Sequence, residues 1–310
     1  MKLISIIFSF KNEEGNLEEL VSRTSNVLEK IENWNYELIF VNDNSDDKSE
    51  SILEKLQEKH PIKIINMSRT FGVGPCVLAG FKHAKGDCVV YMDSDLQDPP
   101  ELIENLINEY EKGSEVVHSI RIERQGESKL KLFITKVAYK IINYLADIDL
   151  PIEAGDFKLI SKKALKKILE QKEFNPYIRG LSIWVGFKQG RVEYTRLPRK
   201  EGETHFTLFS KGPIPEFIRG VTSYSIKPLY LGLLFGLIGF LFSIILIIYT
   251  FYLKFNGMSV PGSASMIITI SFFSGIILFV LGILGVYLGK IYEQTKGRDP
   301  YVIKDIKTKN

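Results

Sequence analysis

Two long stretches without a formal charge constrain this chain more than any other feature. Pro228 to Leu253 and Phe255 to Gly289 are separated only by Lys254. They contain the apolar runs LYLGLLFGLIGFLFSIILIIYTFYL and MIITISFFSGIILFVLGILGVYLG. A helix needs about 20 apolar residues to cross the hydrocarbon layer, and both runs supply them. Buried core helices are the alternative, but charge-free helices of this length are rare in soluble domains. Residues 228–289 therefore predict a two-helix transmembrane hairpin, with spans at about 228–253 and 264–289. The intervening FNGMSVPGSAS carries Gly257, Pro261 and Gly262 and is expected to be non-helical.

Basic residues set the expected orientation. Lys211, Arg219 and Lys227 precede the first span, and Lys290, Lys296, Arg298, Lys304, Lys307 and Lys309 follow the second. The positive-inside rule places the large N-terminal part and the basic tail, 290–310, on the cytoplasmic side of the cell's inner (plasma) membrane. LISIIFSF at the N-terminus is too short for a signal-peptide core and runs straight into Asn12, Glu13 and Glu14.

Outside the spans the composition is that of a globular protein. With 310 residues, 45% of them hydrophobic and 25% charged, a disordered tail or a fibre is excluded. A formal charge of +3 gives no argument for a nucleic-acid partner. Cys76 and Cys88 lack metal-type spacing and fit a reducing compartment.

The N-terminal part alternates strand and helix patterns. Strand-length apolar runs lie at Leu3–Phe10, Tyr36–Val41, Ile62–Asn66 and Asp87–Met92. Helical patterns lie at Leu17–Ile31, Lys48–Glu58, Gly74–Ala84 and Leu102–Tyr110. That alternation predicts an α/β domain with a mostly parallel, Rossmann-like sheet covered on both faces. Such sheets bind ligands beyond the carboxyl ends of their strands.

The residues at those ends are polar: Asn12-Glu13-Glu14, Asn42-Asp43-Asn44-Ser45 and Asp93-Ser94-Asp95-Leu96-Gln97-Asp98. Such residues also cap helices and make turns, a role that suffices for Asp46, Asp47 and Asp98. Asp93 and Asp95 differ, because two residues apart on an extended segment their side chains share a face. Paired carboxylates repel unless a cation or proton lies between them. A hard divalent ion that also holds phosphate would resolve the conflict. No P-loop, dinucleotide fingerprint or G-x-S-x-G elbow competes. His60, His83, His118 and His205 lack zinc spacing.

The run MSRTFGVGPCVLAGFKHAKGDCVVYMDSDLQDPPE, with VNDNSDDKS before it and GDFKLIS after it, resembles the family 2 glycosyltransferases of GT-A fold. More narrowly it is similar to their polyprenyl-phosphate branch, which includes dolichyl-phosphate mannose synthase and the bactoprenol glucosyl transferases. The similarity continues through RGLSIWVGFKQ, RKEGETHF, SYSIKPLYL and RDPYVIKD, and so spans nearly the whole chain. It implies inverting transfer of one sugar from a nucleotide-sugar, a UDP-sugar first, to polyprenyl (undecaprenyl) phosphate. The cofactor would be Mg²⁺ or Mn²⁺.

Residue by residue, the resemblance implies that Asp156 is the catalytic base. Asn12, Glu13, Asp43, Asp93 and Asp95 would lie at the donor nucleotide and diphosphate, with Asp95 and Gln97, joined by Asp93, holding the metal. Arg121 and Arg124, an R-x-x-R pair, would face the acceptor phosphate together with Arg199 and His205. A planar, permanently charged fork suits phosphate oxygens. His205 stands where relatives carry lysine, and Asn42 where many carry aspartate.

Domain boundaries follow from these readings. Residues 1–209 are the cytoplasmic domain and 210–227 a juxtamembrane amphipathic segment. Residues 129–146, basic and apolar at helical spacing, are either an interfacial helix or an ordinary core helix. A homotetramer is common in the branch. Two other functions remain open, a processive polysaccharide synthase and a non-catalytic nucleotide-sugar-binding membrane protein.

Overall fold

The computed structural model describes residues 1–124, 154–174, 176–196, 220–257 and 262–309, with single positions between them. The N-terminal part alternates β1 (Lys2–Phe10), α1 (Leu17–Leu28), β2 (Trp34–Asn42), α2 (Ser49–Gln57), β3 (Ile62–Met67), α3 (Val73–His83), β4 (Cys88–Asp93) and α4 (Leu102–Glu111). Then follow β5 (Val116–Arg124), β6 (Ala154–Ser161), α5 (Lys162–Glu170), α6 (Ile178–Trp184) and β7 (Gln189–Arg196). The chain continues with α7 (Lys227–Phe255), α8 (Gly262–Thr295) and β8 (Ile303–Thr308).

One sheet runs in the order β7-β5-β6-β4-β1-β2-β3-β8. β4, β1, β2 and β3 are parallel. β6 runs antiparallel to both β4 and β5, and β8 antiparallel to β3. β1 is apolar on both faces because both are covered. Ile4, Ile6 and Phe8 join the core with Leu17 and Leu20 of α1 and Leu106 of α4. Ile7 points the other way, into a core with Val77 and Ala79 of α3 and Leu165 of α5. α3 sits so close to β1 that a Cβ on Gly80 would lie 2.5 Å from Ile7 Cγ2.

α7 and α8 are long and almost wholly exposed: 6% of the most apolar stretch of α7 is buried, and none of that of α8. Core helices of a soluble domain would show the reverse, so both have the length and surface of membrane-crossing helices. α8 begins at Gly262, earlier than its composition suggests, since after Pro261 the small residues Gly262–Ser265 join the apolar run. It also runs on to Thr295, past the last apolar residue.

The chain after α8 returns to the sheet. β8 covers the β3 edge, where Asn66 Nδ2 donates to Asp305 at 2.8 Å. Lys307 reaches Glu50 at 2.5 Å and Glu54 at 2.6 Å on α2. The alternating burial of β8 is that of an edge strand with one solvated face. Most of 129–146 and of 210–219, expected to be amphipathic, lies outside the described residues.

Candidate active site

Parallel pairing brings the ends of β1, β2 and β4 to one edge, with Ser9 opposite Asp93 and Phe10 opposite Asn42. The loops beyond are stitched together. Asn12, at φ +55°, accepts from Asp46 N at 3.0 Å and donates its own N–H to Ser45 Oγ. Glu13 accepts from Asn16 Nδ2 at 2.6 Å. Asn42 accepts from Ser45 N and donates to Asn66, while Asp47 caps the start of α2 through Ser49 N. The buried Asp43 accepts from Phe71 N at 2.7 Å and Gly72 N at 3.0 Å, pinning the approach to α3. Gly72 has φ +90°, which disfavours any side chain there. Asn12, Glu13 and Asp43 thus order the loops at this edge of the sheet.

The acidic centre is one step along the sheet. Antiparallel pairing sets Tyr91 opposite Lys158, and two residues further the same register sets Asp93 opposite Asp156. Burial, then Asp156, Asp98 and Asp95, push the Asp93 carboxyl up to about 7 against the pull of Arg121. Tyr91 donates to it at 3.2 Å. Asp95 accepts from Gln97 N at 3.2 Å across a turn whose Leu96 has φ +57°. Left-handed backbone on a bulky residue is strained and persists where its surroundings impose it. Among the described residues no three His, Cys, Asp or Glu side chains are gathered as a ready metal cage. The crowded charge at Asp93 and Asp95 nonetheless fits a divalent cation that takes one or two carboxylates and completes its shell with ligand phosphate.

Asp156 is gripped by a residue the sequence did not single out. Arg179 on α6 donates from Nε to Oδ1 at 2.7 Å and from Nη2 to Oδ2 at 2.5 Å. Burial works against ionisation of Asp156. Arg179, then Lys158 and Arg121, nevertheless hold its carboxyl well below the usual carboxylate range. Lys158, 1% exposed, is itself pushed down to about 8 by burial. Arg179 sits in the RGLSIW run, but only the fold shows that it meets Asp156.

Two expectations change. Asp98, which suits a turn before Pro99-Pro100, is fully buried and accepts from the Tyr194 hydroxyl and from Arg121 Nη2 at 3.3 Å. Arg121, expected to face the acceptor phosphate, turns inward instead. Its side chain is 10% exposed, and its Nε donates to Tyr194 at 2.9 Å. Its fork is held by the domain's own groups because an unpaired Asp98 at that depth would be costly. Arg124 ends β5 opposite Arg196, and Arg199 and His205 lie outside the described residues.

Gly155 makes room for the Arg121 fork, since a Cβ there would stand 2.6 Å from Nη2. Gly155→Ala is expected to destabilise the protein by about 1–3 kcal/mol, the usual range for overpacking. The thermal midpoint checks this, and an unchanged midpoint would show that the guanidinium relaxes freely.

Comparison with known proteins places this geometry. Residues 5–169 match the model described as Glycosyl transferase family 2. The chain is 40% identical over 306 residues to the uncharacterized glycosyltransferase YkcC of Bacillus subtilis (strain 168), covering 97% of this chain and 93% of that one. It is 34% identical over 309 residues to the bactoprenol glucosyl transferase of Shigella phage SfX, covering 98% and 99%. Among solved structures, S. aureus TarS 1-349 is 18% identical with a TM-score of 0.47, covering 63% of this chain and 60% of that chain. The mostly parallel sheet, with its acidic turn after β4, is the GT-A fold. With a family match across more than half its length and relatives along nearly all of it, the chain is a transferase belonging to glycosyl transferase family 2, on the branch that holds the bactoprenol glucosyl transferases.

Proposed function

We propose that the protein transfers one sugar from a nucleotide-sugar, a uridine diphosphate sugar first, to the phosphate of a membrane polyprenol at the cytoplasmic face. The product is a lipid-linked sugar for modifying cell-envelope glycans. One observation carries this reading: the acidic centre is joined through a few residues to the start of α7 and the end of α8. Asp156 is held by Arg179, and two residues before it Tyr177 accepts from Tyr224 at 3.2 Å, three residues ahead of α7. A donor bound at Asp93 and Asp95 would therefore lie beside a lipid phosphate in the adjoining leaflet. The pairing of β8 with β3 supports both termini lying on one side of the bilayer. The basic residues flanking the hairpin support the cytoplasmic side.

In the reaction an acceptor phosphate oxygen forms a bond to the anomeric carbon from the face opposite the leaving group. The bond from that carbon to the diphosphate oxygen breaks, its electron pair leaves with the nucleoside diphosphate, and the configuration inverts. Asp95 and Gln97, with Asp93, would hold Mg²⁺ or Mn²⁺, which supplies charge neutralisation for the departing diphosphate. Asn12, Glu13 and Asp43 shape the nucleotide wall. Asp156 orients the incoming acceptor, and Arg124, Arg199 and His205 are the candidates for its phosphate.

The test uses detergent-purified protein, undecaprenyl phosphate, Mn²⁺ and a panel of radiolabelled nucleotide-sugars, with label in the organic phase as readout. One sugar is expected to partition with the lipid, and only without EDTA and with Asp95 intact. Transfer that survives EDTA and Asp95→Ala would overturn the metal role. Label building into long chains would favour a processive synthase, and nucleotide binding without any transfer a binding role.

A further inference from the structure

α6 carries Arg179, yet it is only seven residues long, and the described residues of the connector before it, 171–174 and 176–177, are irregular. Two groups from the membrane part hold that connector. At the end of α8, Gln294 accepts from Phe174 N at 2.8 Å and donates from Nε2 to Lys172 O. Just ahead of α7, Tyr224 donates to Tyr177 O, and the two rings lie 6.4 Å apart. Tyr177 and Val221 are buried in a small cluster of their own with Ile183 of α6. The membrane side of this joint is itself tied together. Tyr287 of α8 donates to Ser225 O at 2.7 Å, and Lys290 to Ser223 Oγ at 3.2 Å. Both apolar helices and the residues leading into them therefore act on one short connector. Two residues beyond its second anchor, Arg179 makes its two-point contact with Asp156.

We infer that Arg179 is a positioning residue for Asp156, and that the helical hairpin sets its place through Gln294 and Tyr224. The inference rests on the proposed transfer reaction and adds to it: the centre reaches working geometry only when the domain is seated on its hairpin. A side chain held at two points by a planar fork has little rotational freedom, and a displacement of about 1 Å at a reacting centre costs on the order of a hundredfold in rate. Lys cannot reproduce a two-point contact. Loss of a hydrogen bond from Gln294 or Tyr224 leaves the fork intact but lets its base drift.

The experiment uses full-length protein in lipid nanodiscs with the nucleotide-sugar and polyprenyl phosphate that wild type uses. Arg179→Gln is expected to lower kcat about 50-fold or more with donor KM within about twofold, and Arg179→Lys to recover only part of the loss. Gln294→Ala and Tyr224→Phe are each expected to lower kcat several-fold, again at unchanged donor KM. Adding Gln294→Ala to Arg179→Gln should cost little more, because both act through one contact. Full additivity, or Arg179→Gln within twofold of wild type, overturns the inference. A wild-type protein that moves no sugar overturns the proposed function instead. Hydrogen exchange then decides the inference without turnover. Gln294→Ala should raise amide exchange across 178–184 and leave α1 to α4 unchanged, and unaltered exchange in α6 overturns it.

Discussion

Replacing Asp156 by Asn is expected to lower kcat for sugar transfer about a hundredfold or more, with nucleotide-sugar affinity within about twofold of wild type. Asn keeps the shape and can still accept from Arg179 Nε, so the 2.7 Å contact has a counterpart. It removes the charge. Arg179 would then face the acceptor with its charge no longer balanced by Asp156. The acceptor is a phosphate monoester with a second ionisation near pH ~6, so at neutral pH it has no proton left to lose. Asp156, held ionised by Arg179, is correspondingly a weak base. Its value in this site is placement and charge balance. Both wild type and variant should therefore lose rate below about pH 6 as the acceptor gains its proton, and the variant, without the Asp156 charge that pushes Asp93 up, should not lose it at a higher pH than wild type. Initial rates across pH 5–8, with donor binding measured separately, check this. Near-normal turnover in Asp156→Asn would remove Asp156 from the centre.

How far the sequence could be read depended on whether a feature was local. β1 to β4 are short apolar runs between turn residues, and their parallel order follows from the helices between them. That was enough to bring Asn12, Asp43 and Asp93 to one edge. β8 was not legible as a strand, because IKDIKT alternates polar residues on an exposed edge and follows the apolar α8 by only a few residues. Its partner β3 lies some two hundred and forty positions away, as the Asn66–Asp305 bond shows. The same distance problem hid Arg179 and Tyr194. Each acquires meaning only through a carboxylate from a distant part of the chain, Asp156 for Arg179 and Asp98 for Tyr194. Asp98 was misleading for a different reason: Pro99-Pro100 is so clear a turn signal that it supplied a sufficient local explanation. The two apolar helices stand at the other extreme, since their length and lack of charge need no partner to be recognised.

Asp98→Ala is expected to have the largest effect on folding, about 3–5 kcal/mol, the cost of removing one member of a buried ion pair. Asp98 is fully buried, Arg121 is 10% exposed, and Tyr194 bridges them by accepting from Arg121 Nε and donating to Asp98. Without the carboxylate the guanidinium would be a buried cation with its main counter-charge gone, and the Gly155 backbone packed against it leaves it little room to leave. The protein should accumulate poorly or melt many degrees lower. Tyr194→Phe, which loses one hydroxyl but keeps the ring against Phe157, should cost about 1–3 kcal/mol. Arg121→Met combined with Asp98→Leu separates stability from function. Apolar side chains of similar volume often replace a buried pair at little cost or with a gain, so the double variant is expected to recover most of the lost melting temperature. Its transfer rate then reads what the pair contributes beyond stability. Asp98 pushes the Asp93 carboxyl up and Arg121 pulls it down; the double variant removes both, and Asp98 is the larger influence. Asp93 would then hold its proton no more tightly, so a folded double variant is expected to transfer sugar at a rate near wild type. Melting and initial rates on the four proteins check both halves. A double variant that regains full transfer would show the pair to be scaffold alone. One that stays unfolded would show that the site depends on this ion pair for its shape as well as its charge.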